Sequence, residues 1–105
     1  MALKHLSAKD VAARVARAQS EILALGVQRL ALFGSVQRDA AQADSDIDLL
    51  VEFAPGAKSY ERFVALAELL ERILDSRVDL ITRESLSPFL GPHILAEARD
   101  VLRAA

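Results

Sequence analysis

Two acidic side chains, Asp46 and Asp48, stand at the start of an apolar segment in the order Asp-Ile-Asp-Leu-Leu-Val. Because side chains alternate between the two faces of a strand, residues two positions apart project from the same face. Neighbouring carboxylates are costly to ionise together without a cation, and Mg²⁺ prefers oxygen ligands of this kind. The pair therefore predicts a site for a hard divalent cation.

A glycine and a serine, Gly34 and Ser35, follow another apolar segment that ends in Leu-Phe. This pattern is typical of a strand that runs into a tight turn. Such a turn can offer backbone N–H groups to an anion, especially where a helix begins just after it. Since Mg²⁺ often binds through one or two carboxylates together with substrate phosphates, we expect a phosphate-binding turn beside a metal-binding acid pair.

The apolar pattern of the sequence predicts the strands and helices that carry these residues. Three strands are predicted, at 27–33, 46–53 and 77–82. Between the last two, residues 60–74 have the apolar spacing of a helix roughly 22 Å long, which is enough to return the chain and make the third strand parallel to the second. Asp79, near the start of the third strand, should then lie beside the first two aspartates. If the first strand is antiparallel to the second, the glycine–serine turn reaches the same end of the sheet.

Two more helices complete the prediction. Ser7 is a good N-cap with Asp10 three residues on, and the helix that follows is expected to end at Gly26. Pro92 fits the first turn of a last helix. Its predicted apolar face consists of Ile94, Ala98, Val101 and Leu102. The fold class that follows is α/β (α+β), with a small mixed sheet, helices packed against it and a single domain over residues 1–105.

Composition narrows the class of protein. The chain has 105 residues, 52% hydrophobic and 27% charged, with a net charge of −2 and no cysteine. Disulfides and thiolate metal sites are excluded, and no broad electrostatic attraction to nucleic acid or to an anionic membrane is expected. The sequence contains neither an apolar run of about 20 residues nor a signal-peptide pattern, so we expect a cytoplasmic protein without a membrane span.

The motifs resemble those of the DNA-polymerase-β-type nucleotidyltransferases, and more narrowly the minimal nucleotidyltransferases (MNT) of prokaryotes. The resemblance rests on Gly34-Ser35, then ten residues, then Asp46-x-Asp48, and covers residues 27–82. Further matches are Leu32-Phe33, Arg38, Ala41, Ser45 and Val78-Asp79-Leu80. The closing segment is similar too, though less specific, at Ile94, Glu97, Ala98 and Val101.

The resemblance implies a polymerase-β-like fold and a reaction. Such proteins use two Mg²⁺ ions to move a nucleoside monophosphate from a triphosphate such as ATP to a hydroxyl, releasing pyrophosphate. By this resemblance Asp46 and Asp48 would hold the metals, and Asp79 would complete the metal site and help to activate the acceptor. Gly34 and Ser35 would hold the β- and γ-phosphates.

Arg38 lies one helical turn after Ser35. Its guanidinium could reach the same phosphates, or it could pair with a motif acid. Both alternatives stay open from the sequence alone.

The resemblance also suggests a partner. Many minimal family members are antitoxins of a HEPN-domain toxin and add AMP to one of its tyrosines. The expectation fits the size of this chain, because a nucleotide-binding core would account for its 105 residues. The acceptor would then be held by another chain or by a second copy, in a hetero- or homo-oligomer.

One departure from the family pattern is Asp39, where relatives often have glycine. This residue supports an alternative function, that of an antitoxin that neutralises its partner by binding, with weak or no catalysis. Transfer to a small molecule such as an aminoglycoside is a further alternative.

Overall fold

The computed structural model describes residues 6–38 and 46–104. Asp39, Ala41 and Ser45, and with them the departure from the family pattern, lie outside the described residues. The helices are α1 (Ala8–Arg17), α2 (Gln19–Ala24), α3 (Gly34–Gln37), α4 (Tyr60–Leu74) and α5 (Gly91–Glu97). The strands are β1 (Val27–Phe33), β2 (Ile47–Phe53), β3 (Val78–Thr82) and β4 (Arg99–Arg103). A 3₁₀ turn, Arg83–Ser85, follows β3.

The strands form one sheet in the order β3-β2-β1-β4. β1 is antiparallel to both β2 and β4, whereas β2 and β3 are parallel. The long helix α4 supplies the connection between the two parallel strands, which must cross over from one end of the sheet to the other. The predicted directions of the first three strands are therefore confirmed.

The main core lies between one face of the sheet and helices α1, α2 and α4. Alternate residues of β2, namely Ile47, Leu49 and Val51, are buried in it. The helices contribute Val11, Val15, Ile22, Leu66, Leu69, Leu70 and Leu74. Because the other side chains of β2 project from the opposite face, Asp48 is directed away from this core.

A smaller apolar cluster covers the middle of the opposite face. Its buried members are Ala31, Phe33, Leu50 and Ala98, with Ile81, Leu86, Ile94 and Leu95 packed against them. The two ends of this face are left to polar side chains, and one of these ends is where Asp48 lies.

A chain of ion pairs crosses the other end of this face. Arg29 of β1 contacts Glu52 of β2 at 2.9 Å and Asp100 of β4 at 2.5 Å, and only 17% of its side chain is exposed. Arg83 extends the chain from Glu52, at 3.6 Å, and Arg103 extends it from Asp100, at 2.9 Å. Charged side chains thus link β1, β2 and β4 to the turn that follows β3.

The beginning of the chain follows the sequence prediction with one difference. Ser7 and Asp10 form the expected capping box at the start of α1. The single helix expected up to Gly26 is broken at Ala18, where the backbone leaves the helical region and α2 begins. Gly26 ends this region with a φ of +84°, and a Cβ there would come within 2.6 Å of the Cβ of Ala57.

The prediction for the last helix was wrong over its second half. Pro92 does lie in the first turn of α5, but the helix stops at Glu97, and Val101 and Leu102 belong to β4. The spacing of Ala98 and Leu102 suits a helix, yet Leu102 also pairs with Leu30 across the sheet. Pairing satisfies the backbone groups that β1 would otherwise leave open at an edge, and this tertiary gain overrides the local pattern.

The helices within residues 6–38 and 46–104 are all too short or too polar to cross a membrane.

Candidate active site

Asp48 and Asp79 are direct neighbours across the two parallel strands. The register pairs Ile47 with Val78 and Asp48 with Asp79, so both carboxylates lie at the end of the sheet where these strands begin. Asp48 is half-buried and Asp79 is exposed. The prediction that helix 60–74 returns the chain and makes the third strand parallel to the second is confirmed, and Asp79 lies beside Asp48.

Gly34 is in close contact with Asp48. Phe33, the last residue of β1, pairs with Asp48, and Gly34 follows it with a φ of +79°. A Cβ at position 34 would overlap Oδ2 of Asp48 and lie 2.9 Å from its Cγ. Glycine is therefore required twice here, for the left-handed backbone and for the approach of the carboxylate. Ser35 is half-buried at the same turn, within α3.

The surroundings of Asp48 disfavour its charged form. Burial, followed by the negative charges of Asp79 and Asp46, raises its pKa from the ordinary 3.8 to about 6. Arg38 opposes this shift, and Glu97 adds to it. A cation bound next to Asp48 would relieve the crowding, so the electrostatics of this corner suit a metal ligand.

Asp46 lies just before β2 and faces a different partner. One of its carboxylate oxygens contacts Nε of Arg77 at 3.2 Å, and both side chains are exposed to solvent. Within the described parts of the chain, no three acidic or histidine side chains are arranged to hold an ion by themselves. The three aspartates share one end of the sheet, but only Asp48 and Asp79 are brought face to face.

Arg38 is paired with an acid, although not with one of the three aspartates. Its Nη1 donates to both carboxylate oxygens of Glu97, each at 3.0 Å. The same Oε1 of Glu97 accepts the backbone N–H of Gly34 at 3.0 Å. The Gly34 N–H and then Arg38 lower the pKa of Glu97, so this carboxylate is ionised at neutral pH.

Glu97 is the site residue that sequence reasoning missed. It stands 63 positions after Gly34, at the end of α5, where the sequence predicts that the helix continues. The available signal was its place among the less specific matches to the family in the closing segment.

The oxygen ligands at this corner fit a hard cation. Asp48 and Asp79 offer carboxylates from adjacent strands, and Mg²⁺ needs no more than one or two of these when substrate phosphates complete its shell. Asp46 could join them at small cost, because an exposed ion pair such as that with Arg77 contributes only about 0–1 kcal/mol.

Comparison with known sequences identifies relatives over most of the chain. The nucleotidyltransferase domain model matches residues 13–101. MJ0435 of Methanocaldococcus jannaschii, provisionally named a protein adenylyltransferase, is 46% identical over 81 residues, which are 77% of this chain and 86% of that protein. The protein adenylyltransferase MntA of Thermococcus cleftensis is 40% identical over 72 residues, which are 69% of this chain and 72% of that protein.

Solved structures share the fold. One, provisionally described as a minimal nucleotidyltransferase, superposes with a TM-score of 0.78 at 35% identity and covers 91% of this chain and 97% of its own. A toxin–antitoxin crystal structure with AMP-PNP superposes with a TM-score of 0.70 at 25% identity and covers 89% of this chain and 73% of its own. The structure of the tri-AMPylated HEPN toxin of Shewanella oneidensis in complex with MNT antitoxin has a TM-score of 0.55 at 25% identity. The match covers 85% of this chain and 72% of that chain.

The sequence match, the sheet order and the arrangement of Gly34 beside Asp48 lead to the same assignment. The family is one of enzymes, and the fold of this chain is that of the minimal nucleotidyltransferases. This protein belongs to the nucleotidyltransferase domain family.

Proposed function

We propose that this protein transfers AMP from ATP to a tyrosine hydroxyl of a partner HEPN-domain toxin and thereby acts as its antitoxin. The observation that carries the proposal is the position of Asp48, held between the Gly34 turn and Asp79 at one end of the sheet. Carboxylates beside a glycine, which has no side chain, form a corner that would accept a metal-bound triphosphate.

The names of similar proteins support the acceptor class. The relative from Thermococcus cleftensis, 40% identical, is named a protein adenylyltransferase. A structure with the same fold contains an AMP-modified HEPN toxin bound to an MNT antitoxin. The proposal extends both properties to this chain.

In the proposed reaction the tyrosine oxygen attacks the α-phosphorus of ATP. A bond forms between these two atoms, the bond from the α-phosphorus to the bridging oxygen breaks, and pyrophosphate leaves. The hydroxyl proton passes to the carboxylate of Asp79, which is exposed and accessible to an acceptor. Ser35 and Arg38 would hold the β- and γ-phosphates, and the bare backbone of Gly34 lets the Asp48 carboxylate approach this turn closely.

Two Mg²⁺ ions, when bound, would stabilise the attacking and leaving oxygens of this displacement. Asp48 and Asp79 are the proposed ligands, with Asp46 joining them after release from Arg77. The raised pKa of Asp48, about 6, still leaves it mostly ionised near pH 7.5, as a ligand must be.

The test is transfer of label from ATP carrying radioactive α-phosphate to the product of the neighbouring open reading frame, which the proposal requires to be a HEPN-domain protein, with and without Mg²⁺. We expect Mg²⁺-dependent labelling of a tyrosine, lost when Tyr is replaced by Phe. The double variant D46N/D48N should bind the toxin but transfer nothing. An absence of labelling by folded wild-type protein contradicts the proposal. If that inactive double variant still neutralises the toxin, binding alone is the antitoxin mechanism.

A further inference from the structure

The carboxylate of Glu97 contacts both the backbone N–H of Gly34 and the side chain of Arg38. Its Oε1 accepts the Gly34 N–H and one bond from Nη1 of Arg38, and its Oε2 accepts a second from the same nitrogen, all at 3.0 Å. These bonds involve an ionised acceptor and are therefore stronger than bonds between neutral groups. Glu97 thus links α5 to the turn and to the arginine that follows it.

The backbone of Glu97 is held from both sides. Before it, Ile94 and Leu95 pack against the smaller apolar cluster, and after it Ala98 is buried in that cluster. β4 begins at Arg99, which pairs with Leu32 of β1. The carboxylate is therefore presented to the turn by a fixed segment of chain.

This contact decides which groups remain for a triphosphate. A backbone N–H has one hydrogen, and that of Gly34 is donated to Glu97. The guanidinium of Arg38 has five donors, and its bonds to Glu97 use Nη1 alone. Donors on Nε and Nη2 can therefore face a second anion while Glu97 stays in place.

We infer that Glu97 is a positioning residue for the triphosphate, which orients the Arg38 guanidinium towards the β- and γ-phosphates and holds the Gly34 turn against Asp48. The inference rests on the proposed function. The side chain of Arg38 is 55% exposed, so without Glu97 it would lose far more conformational freedom when it binds phosphate.

The opposite role, a carboxylate that occupies the phosphate site and must leave it, fits the contacts less well. Leaving would break all the bonds to Gly34 and Arg38, and the backbone that carries Glu97 is fixed by α5 and β4. Experiment separates the two roles by the sign of the effect on nucleotide affinity.

The test compares AMP-PNP with AMP, measured by competition against a fluorescent AMP-PNP derivative in Mg²⁺. Gln in place of Glu97 keeps an acceptor for the Gly34 N–H but removes the charge that orients Arg38. We expect E97Q to bind AMP-PNP about tenfold more weakly and AMP within about twofold of wild type, because AMP lacks the phosphates that Arg38 reaches. When E97Q is added to R38Q, the affinity for AMP-PNP should fall by less than about twofold relative to R38Q alone, since Glu97 acts through Arg38.

Glu84→Gln is the matched control. It removes one carboxylate from an exposed ion pair with Lys58, 3.6 Å away, in the turn after the far end of β3. We expect E84Q to leave both affinities unchanged.

Three results overturn the inference. Unchanged AMP-PNP binding by E97Q shows that Glu97 does not position the arginine, and tighter binding shows that it competes with phosphate. Equal losses for AMP-PNP and AMP show a general structural role. Each of these requires a wild type that binds AMP-PNP, so the proposed function survives them. A wild type that binds no nucleotide overturns the proposed function and the inference with it.

Discussion

Gly34 and Asp48 are in such close contact that position 34 has no room for a methyl group. We expect G34A to lower the free energy of unfolding by about 2–4 kcal/mol, because alanine must adopt a left-handed backbone and also displace the Asp48 carboxylate. AMP transfer should be lost. Urea denaturation and the labelling assay measure the two effects.

Gly56→Ala provides the control, since Gly56 has nearly the same φ, +77°, and a methyl group there would meet no atom within 4 Å. G56A should lose only about 1–2 kcal/mol, the cost of the backbone alone. G34A/D48A should recover part of the G34A loss, since it removes the obstructing carboxylate. Equal losses for G34A and G56A would show that the contact with Asp48 has no energetic consequence.

The crowding of Asp48 predicts a gain of stability when its charge is removed. Its pKa is about 6 in the folded protein against 3.8 ordinarily, so the folded state binds this proton more tightly than the unfolded chain does. The stability contributed by this group therefore falls as pH rises from about 4 to 6 and stays low above that range. D48N should be more stable than wild type at pH 7.5 by about 1–2 kcal/mol, after discounting for partial exposure.

Urea denaturation in EDTA at pH 7.5 and at pH 4 measures this difference, which should shrink at the lower pH. Mg²⁺ at pH 7.5 should stabilise wild type and leave D48N unchanged. A variant less stable than wild type at pH 7.5 would contradict the proposed crowding.

Neighbouring charges should move the titration of Asp48 in opposite directions. D79N should lower the pKa of Asp48 towards its ordinary range, because the charge of Asp79 ranks next after burial among the causes of the shift. Arg38→Gln should raise it, because the arginine opposes the shift. The side-chain ¹³C resonance of Asp48, followed from pH 4 to 8 without metal, reports both. A titration unmoved by D79N would show that the two carboxylates are not electrostatic neighbours.

Arg29 should contribute to stability without affecting catalysis. Methionine at this position keeps the apolar stem but leaves Glu52 and Asp100 without the guanidinium between them. Burial raises the pKa of Asp100, yet the hydrogen bonds from Arg29 and Arg103 outweigh it and hold the pKa below its ordinary value. We expect R29M to lose about 1–3 kcal/mol, between the values for exposed and buried ion pairs.

R72M is the matched control for this loss, because Arg72 contacts Glu21 at 3.9 Å with both side chains about two-thirds exposed. It should cost less than about 0.5 kcal/mol. Transfer of AMP should match wild type in both variants, since Arg29 lies at the end of the sheet away from Asp48. A loss of transfer in R29M at temperatures where it is folded would refute this separation.

Elements with a strong local signal were predictable from the sequence. Helix α4 has its predicted bounds because a wide apolar stripe follows the N-cap Ser59, whose side chain accepts the N–H of Arg62. The length of that helix predicted that β3 runs parallel to β2. The parallel direction in turn predicted that Asp48 and Asp79 lie side by side. These steps needed only local pattern and chain geometry.

The remaining features depend on contacts between distant segments. Residues 99–103 pair with β1 although their spacing also suits a helix, and no local rule separates the two outcomes. Glu97 and Gly34 are joined by a hydrogen bond between segments 63 positions apart, which no local pattern reveals. Asp46 pairs with Arg77 at the surface, where an exposed side chain has several possible partners. The sequence does not determine which of these partners it contacts.

Within residues 6–38 and 46–104, the strand that carries Asp79 pairs with β2 alone, because β3 lies at an edge of the sheet. In the proposed reaction, a protein bearing the acceptor hydroxyl would approach along this edge, while the nucleotide would enter over the turn at the end of β1. With separate routes, neither substrate would need to leave before the other binds. For the proposed reaction, the kinetics should be sequential with random order of addition, rather than ping-pong.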